Sequence, residues 1–368
     1  MSASAEGRIP SLDGLRAISI SLVLLSHLAG TRNFPLSAAS GNFWALGEFG
    51  VKVFFVISGF LITGLLLDEL AKNHKIRLGR FYFRRTLRIF PPYYAMLAVL
   101  VGAAAMGAVQ LAPHDVAHTL TYTSNYYPER SWYVGHTWSL SVEEQFYLLW
   151  PAVLILAGTR RAFLVAALVV LAVPVIRLVE WEWFRAATGS GIGVRFETVA
   201  DSIAIGCLLA GARPILHRTE WYPRLLGSPF FVVVPMVAIL GNLTHDHPLV
   251  SFAVGMSLSN ICVVLCLDWA VTFHEGRIGR VLNAAPLVFV GWLSYSLYLW
   301  QQPFLNRASS AAVAAFPLNI ILTIGLALVS YYIVERPSLW LRKVLERRAG
   351  RTSPAPAAAL RTELPSSQ

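Results

Sequence analysis

The stretch Leu15-Arg16-Ala17-Ile18-Ser19-Ile20-Ser21-Leu22-Val23-Leu24-Leu25-Ser26-His27-Leu28-Ala29-Gly30 is apolar throughout except for small hydroxyls, one cation at its start and one imidazole near its end. At about 100° per residue, the eleven steps from Arg16 to His27 return to within roughly 20° of the same helix face. At 1.5 Å per residue they separate the two side chains by about 16 Å along the axis. The pattern predicts a membrane-spanning helix, and an ionisable group inside such a helix is costly enough to mark a functional position.

Working outward, the rest of the chain is of the same kind. Apolar residues make up 56% of the 368 residues and charged residues 14%, where soluble domains carry about 25% charged. Apolar segments recur near 15–30, 49–70, 89–110, 138–157, 162–179, 199–212, 229–241, 250–273, 286–305 and 316–335. An all-α, polytopic membrane protein of about ten transmembrane helices is therefore expected, with a membrane domain over 1–348. The Pro-, Ala-, Ser- and Arg-rich remainder, 349–368, reads as a disordered cytoplasmic tail. Arg16 and His27 interrupt the first segment, which argues for a retained span and against a cleaved leader.

The formal net charge of +10 invites a nucleic-acid reading, but the cations are placed by topology. Arg8 and Arg16, the run from Lys72 to Arg88, Arg160 and Arg161, and Arg213, Arg218 and Arg224 all fall on one side of the alternating spans. Arg277, Arg280 and the basic residues from Arg336 onward complete that side. This is the positive-inside pattern. It predicts both termini in the cytoplasm, a cell-membrane location and no nucleic-acid partner. Cys207, Cys262 and Cys266 lie within apolar segments, so neither a disulfide framework nor a metal site is expected.

Topology also sorts the polar residues into two layers. Glu143, on the fourth segment, falls near the depth of His27, as do Asp201 and the pair Gln301 and Gln302. A carboxylate fixes the tautomer of an imidazole and raises its basicity, which a general base acting on a hydroxyl needs. Glu143 is the expected partner of His27, with Asp201 second. The inner layer is cationic: Arg84, Arg85 and Arg88 sit where the basic loop meets the third segment, level with Arg16. Guanidinium groups so placed bind phosphates, and they also suit headgroup anchoring. Ser58, in Phe54-Phe55-Val56-Ile57-Ser58-Gly59-Phe60, is most simply a close-packing residue. A proton-coupled transporter or flippase, with His27 and Glu143 as relay, fits the same residues.

From end to end the chain resembles the acyltransferase-3 family of integral-membrane acyltransferases. The matching blocks are Ile9-Pro10-Ser11-Leu12-Asp13-Gly14-Leu15-Arg16 through His27, then Gly50-Val51 through Ile62, and Arg84-Arg85-Thr86-Leu87-Arg88-Ile89-Phe90-Pro91. They continue with His136-Thr137-Trp138-Ser139-Leu140-Ser141-Val142-Glu143, Ser294 through Leu299, and Glu335-Arg336-Pro337, which closes the last helix. The resemblance implies transfer of an acyl group, often acetyl, from cytoplasmic acyl-CoA to a hydroxyl. The acceptor would be an extracytoplasmic or lipid-linked glycan or a secondary metabolite, with acyl-CoA a co-substrate and no resident cofactor. It also implies essential roles for Arg16 and His27 and functional ones for Arg84, Arg85, Arg88 and Glu143. Some relatives carry a fused extracytoplasmic hydrolase-like domain; the expectation here is that the chain either acts alone or hands its acyl group to a separate extracytoplasmic transferase. Two departures stand out. Gln301 occupies a place where many relatives have His, and Val199 stands where relatives often carry an Arg before the segment-six Asp. The combined expectation is direct transfer, with His27 as base, Glu143 orienting it and the Arg cluster on CoA phosphates. Ser58, Ser139, Asp201, Tyr295 and Gln301 are candidates for substrate or oxyanion contacts.

Overall fold

A computed structural model describes residues 9–36, 40–184 and 189–351; Arg8 and tail residues 352–368 lie outside them. The described residues are helical, with no strand. The main helices are α1 (Leu12–Leu28), α2 (Ser40–Asn73), α3 (Leu78–Ala105), α4 (Thr137–Val179) and α5 (Phe196–Leu216). They are followed by α6 (Val233–Asn242), α7 (Met256–Thr272), α8 (Ala285–Trp300), α9 (Leu318–Ser330) and α10 (Arg336–Arg351). Among the described residues, six helical stretches, including Ala45–Asn73 and Leu318–Arg348, are long and apolar enough to cross a membrane. The shorter helices α6 and α8 are apolar as well, and α1 spans 17 residues.

Several boundaries differ from the sequence expectation, each for a local reason. Gly158 carries φ 75° and ψ 163° inside α4, a conformation essentially restricted to glycine. It divides α4 into two arms that coincide with the expected fourth and fifth segments. The third helix begins at Leu78, so Arg84, Arg85 and Arg88 are helical residues and not part of a loop; the arginines alternate with Phe81, Ile89 and Tyr93, whose burial anchors this turn. Glu335-Arg336-Pro337 does not close the last helix. A π-helical turn over Tyr331–Glu335 carries α9 into α10, the register shift by which a helix absorbs a local strain.

Two features hold the bundle together. Helices α2 and α5 touch backbone to backbone: a Cβ at Gly59 would lie 2.0 Å from the Ile203 carbonyl, and one at Gly206 would lie 2.2 Å from the Val56 carbonyl. Such contact is the close-approach device of membrane helices. Around it one apolar cluster joins α1, α2, α3, α4, α5 and α8 through Ile20, Phe55, Tyr93, Leu140, Ile203 and Leu297. A second joins α2, α5, α6 and α7 through Val56, Leu209, Ala238 and Leu267. The outer faces are apolar too: Leu156 and Leu171 on α4 are 85% and 71% exposed, an arrangement that lipid accommodates and water does not.

Candidate active site

Between α1, α2, α3, α4 and α8 lies a cavity enclosing about 860 Å³ of atom-free space, its open mouth included. Arg16, Arg85 and Arg88 line it together with Glu143, Glu144 and Ser58. Phe54, Phe55, Tyr295 and Tyr298 supply aromatic wall. Arg16 comes from the first turn of α1, where it also lies 3.4 Å from the carboxylate of Asp13. The Arg85 guanidinium stacks over the Tyr147 ring at 5.1 Å, which fixes its plane and leaves its N–H edge for a ligand.

The carboxylate of Glu143 accepts a hydrogen bond from Ser58 Oγ at 2.8 Å. The Tyr147 hydroxyl lies 3.2 Å from both Glu143 Oε2 and Ser58 Oγ. Glu143 thus belongs to the inner, arginine-lined layer, and its hydrogen bonds among the described residues do not include His27. The partnership expected between them is corrected by depth: Glu143 stands nearly two turns inside α4, whereas His27 occupies the last turn of α1. Gln301 takes that place. It follows the last residue of α8, and His27 Nδ1 and Gln301 Oε1 are 2.7 Å apart. With Nδ1–H donating to the amide oxygen, Nε2 is the basic nitrogen of the ring. Trp132 meets the His27 ring edge-on, with centroids 5.5 Å apart.

Two other expected residues, Arg84 and Asp201, fall elsewhere, and Tyr295 and Ser139 line the cavity. Arg84 does not line the cavity; it stands about 100° around the helix from Arg85, and its Nε donates to Glu346 of α10. Asp201 is fully buried in a separate cluster, 2.5 Å from Arg177 NH2 and accepting from Asn260 Nδ2 at 3.0 Å. Its cationic partner, Arg177, comes from α4. Tyr295 lines the cavity and donates to the Ile89 carbonyl at 2.9 Å. Ser139 also lines it, 2.5 Å from the Tyr298 hydroxyl.

Several residues of the site were not picked out from sequence. Tyr147 carried no motif, and Tyr298 stood only inside the block from Ser294 through Leu299. Buried Glu335 accepts from Ser296 Oγ at 2.8 Å and lies in electrostatic reach of Arg88 and Arg16; its motif was visible, but as a helix end. Among the described residues there is no grouping of three or more His, Cys, Asp or Glu able to hold a metal ion.

The model of an acyltransferase domain family, Acyl_transf_3, matches residues 9–335. The chain belongs to the acyltransferase-3 family. The peptidoglycan O-acetyltransferase OatA of Listeria monocytogenes is 26% identical over 366 residues, covering 89% of this chain and 55% of that protein. SACOL0978 of Staphylococcus aureus (strain COL), named provisionally as an O-acetyltransferase, is 29% identical over 365 residues, covering 89% of this chain and 57% of its own length. YrhL of Bacillus subtilis (strain 168), named provisionally as a peptidoglycan O-acetyltransferase, is 28% identical and covered over 54% of its length. The chain therefore spans a little over half the length of these relatives. No solved structure matches it.

Proposed function

We propose that this membrane acyltransferase moves an acyl group, acetyl by default, from cytoplasmic acyl-CoA to a hydroxyl of an extracytoplasmic or lipid-linked glycan or a glycosylated metabolite. The observation that carries this reading is the cavity in which Arg16, Arg85 and Arg88 converge, with Arg16 about 16 Å along the same helix from an imidazole whose Nδ1 is engaged by Gln301. The guanidinium groups suit the CoA phosphates, and the pantetheine arm then runs along the aromatic wall toward His27. Nε2 of His27 removes the acceptor hydroxyl proton. The alkoxide oxygen bonds to the thioester carbonyl carbon, the C–S bond breaks, and the imidazolium returns its proton to the departing thiolate. Gln301 holds the ring; Glu143 acts in the donor cavity, where its charge offsets part of the arginine cluster and keeps Ser58 and Tyr147 in place.

The names of the relatives support O-acetyl transfer, with a cell-wall glycan among the acceptor classes. The proposal includes a bacterial cytoplasmic membrane, about ten spans and both termini in the cytoplasm. Transfer either finishes on the acceptor within this chain or passes the acyl group to a separate extracytoplasmic transferase. The test is thiol release from acetyl-CoA by membranes carrying the wild type or His27→Ala, with and without crude envelope glycans. Acceptor-stimulated release that depends on His27 is expected. Release that persists in His27→Ala would remove His27 from the chemistry. No release from several acyl-CoAs, with normal expression, would favour a proton-coupled carrier, checked by substrate-driven proton flux in proteoliposomes.

A further inference from the structure

Beside His27 the protein buries polar atoms that it leaves without partners. His136, the residue preceding α4, is 3% exposed; neither ring nitrogen completes a well-formed hydrogen bond, and the backbone of Leu299 alone acts on the ring. Gln301 is fully buried; its Oε1 serves His27, and its Nε2 has no partner. Gln302 is 4% exposed, and its Oε1 has none. Buried side-chain polar groups are paired in the large majority of cases, so a local group of exceptions calls for a ligand or ordered water.

These residues form one neighbourhood. Gln302 Nε2 donates to the Trp132 carbonyl at 2.9 Å, and Trp132 Nε1 donates to the Gln302 carbonyl at 2.8 Å. Trp132 in turn is edge-on to His27. Gly135, next to His136, lies so close that a Cβ there would sit 3.0 Å from Gln302 Nε2. The His27 and His136 imidazoles are near enough for their charges to act on each other. From below, the Tyr298 hydroxyl bonds the His136 carbonyl at 3.1 Å and meets Ser139 at 2.5 Å. Both Tyr298 and Ser139 line the arginine cavity, so the group stands directly behind that part of the cavity wall.

The unused atoms have a definite chemistry. Gln301 Nε2 only donates, Gln302 Oε1 only accepts, and a neutral His136 offers one of each. An anion would be repelled by the accepting atoms and a cation by the donating ones. Two neighbouring guanidinium groups are directed at backbone: Arg130 donates to the carbonyls of Gly135 and Tyr127, and Arg307 to that of Ser26. Hydroxyl groups, each both donor and acceptor, match the set. We propose that His136, Gln301 and Gln302 form the subsite that seats the acceptor beside His27, and that the group seated there is a neutral, hydroxyl-rich ring such as a hexose or N-acetylhexosamine. The inference rests on the transferase reading for the word acceptor, and on the unpaired atoms for the ligand's chemistry.

The test uses the full chain purified into lipid nanodiscs, with N,N′-diacetylchitobiose as a neutral probe. Sugar binding is read by saturation-transfer NMR and CoA binding by calorimetry; thiol release from acetyl-CoA is measured on the same samples. Wild type is expected to bind the probe, and His136→Ala and Gln302→Leu to weaken it about tenfold or more. His136→Gln, which keeps a donor and an acceptor, should restore most of the binding, and CoA affinity should be unchanged in all three. Absence of probe binding in the wild type, or equal binding in every variant, would overturn the subsite and leave its atoms to ordered water. An equal loss of sugar and CoA binding would also overturn it, since that is the signature of a misfolded chain. His136-dependent sugar binding without thiol release would uphold the subsite and sink the transferase reading. His27-dependent release with His136-indifferent binding would do the reverse.

Discussion

At the scale of single residues, the bond between His27 and Gln301 decides which ring nitrogen is basic. Gln301→Leu leaves a buried N–H without its acceptor, at about 1–3 kcal/mol, and frees the ring to change tautomer. We expect kcat for acyl transfer to fall about tenfold or more, while Gln301→His, which restores a lone pair, keeps most of the rate; equal losses in both would argue against tautomer control. The arginines separate in the same way. Arg16→Ala and Arg88→Ala should each weaken CoA affinity about tenfold, the scale of one hydrogen bond to a charged group. Arg84→Ala should change it less than about twofold, because Arg84 is engaged with Glu346 and its exposed pair is worth little. Calorimetry with CoA distinguishes these outcomes. The spacing of Arg16 and His27 was legible in the sequence because one helix fixes both. The departure of Arg84 was not, since its partner comes from the far end of the chain.

At the scale of elements, glycine sets the geometry. The backbone contact between α2 and α5 leaves no room for a side chain at Gly59 or Gly206. Gly206→Val should therefore abolish monodisperse protein in size-exclusion chromatography, whereas Gly64→Val, with open space around its Cβ position, should be tolerated. Gly158→Ala meets no neighbour but is strained by its positive φ, at about 1–3 kcal/mol. A lowered thermal midpoint with retained CoA binding is the expected result. The two arms of α4 were visible as separate apolar segments, because a hydropathy pattern registers span length. Their junction at a single glycine, and the start of α3 before its arginines, depend on which residues find a packing partner.

For the whole molecule, the buried Arg177–Asp201 pair joins the second arm of α4 to α5, with Asn260 of α7 closing the cluster. Removing one partner leaves a buried charge, so Arg177→Met should cost about 3–5 kcal/mol, and Arg177→Met with Asp201→Leu should recover much of the loss. Thermal unfolding of the purified protein reads this directly. CoA affinity should stay unchanged in the double variant, since the cluster stands apart from the arginine cavity; a matching loss of affinity would tie Asp201 to the donor site. The exposed leucines of α4 make the outer surface a lipid-facing one, and cysteines placed near either end of the chain should be shielded from impermeant maleimide in intact cells if both termini are cytoplasmic.

Composition, span periodicity and the distribution of cations were enough to read a helical membrane protein, and the motif blocks were enough to read its family, because each signal is local or summed along the chain. The layer of arginines was legible for the same reason. The partner of His27 was not. Gln301 and Glu143 both present a hydrogen-bond acceptor, but Gln301 follows α8, which packs along α1, and Glu143 lies on α4, which packs on α5; which one meets the imidazole depends on those helix positions and on the axial offsets between them. Those offsets are set by packing between residues hundreds of positions apart, and only the tertiary structure carries them.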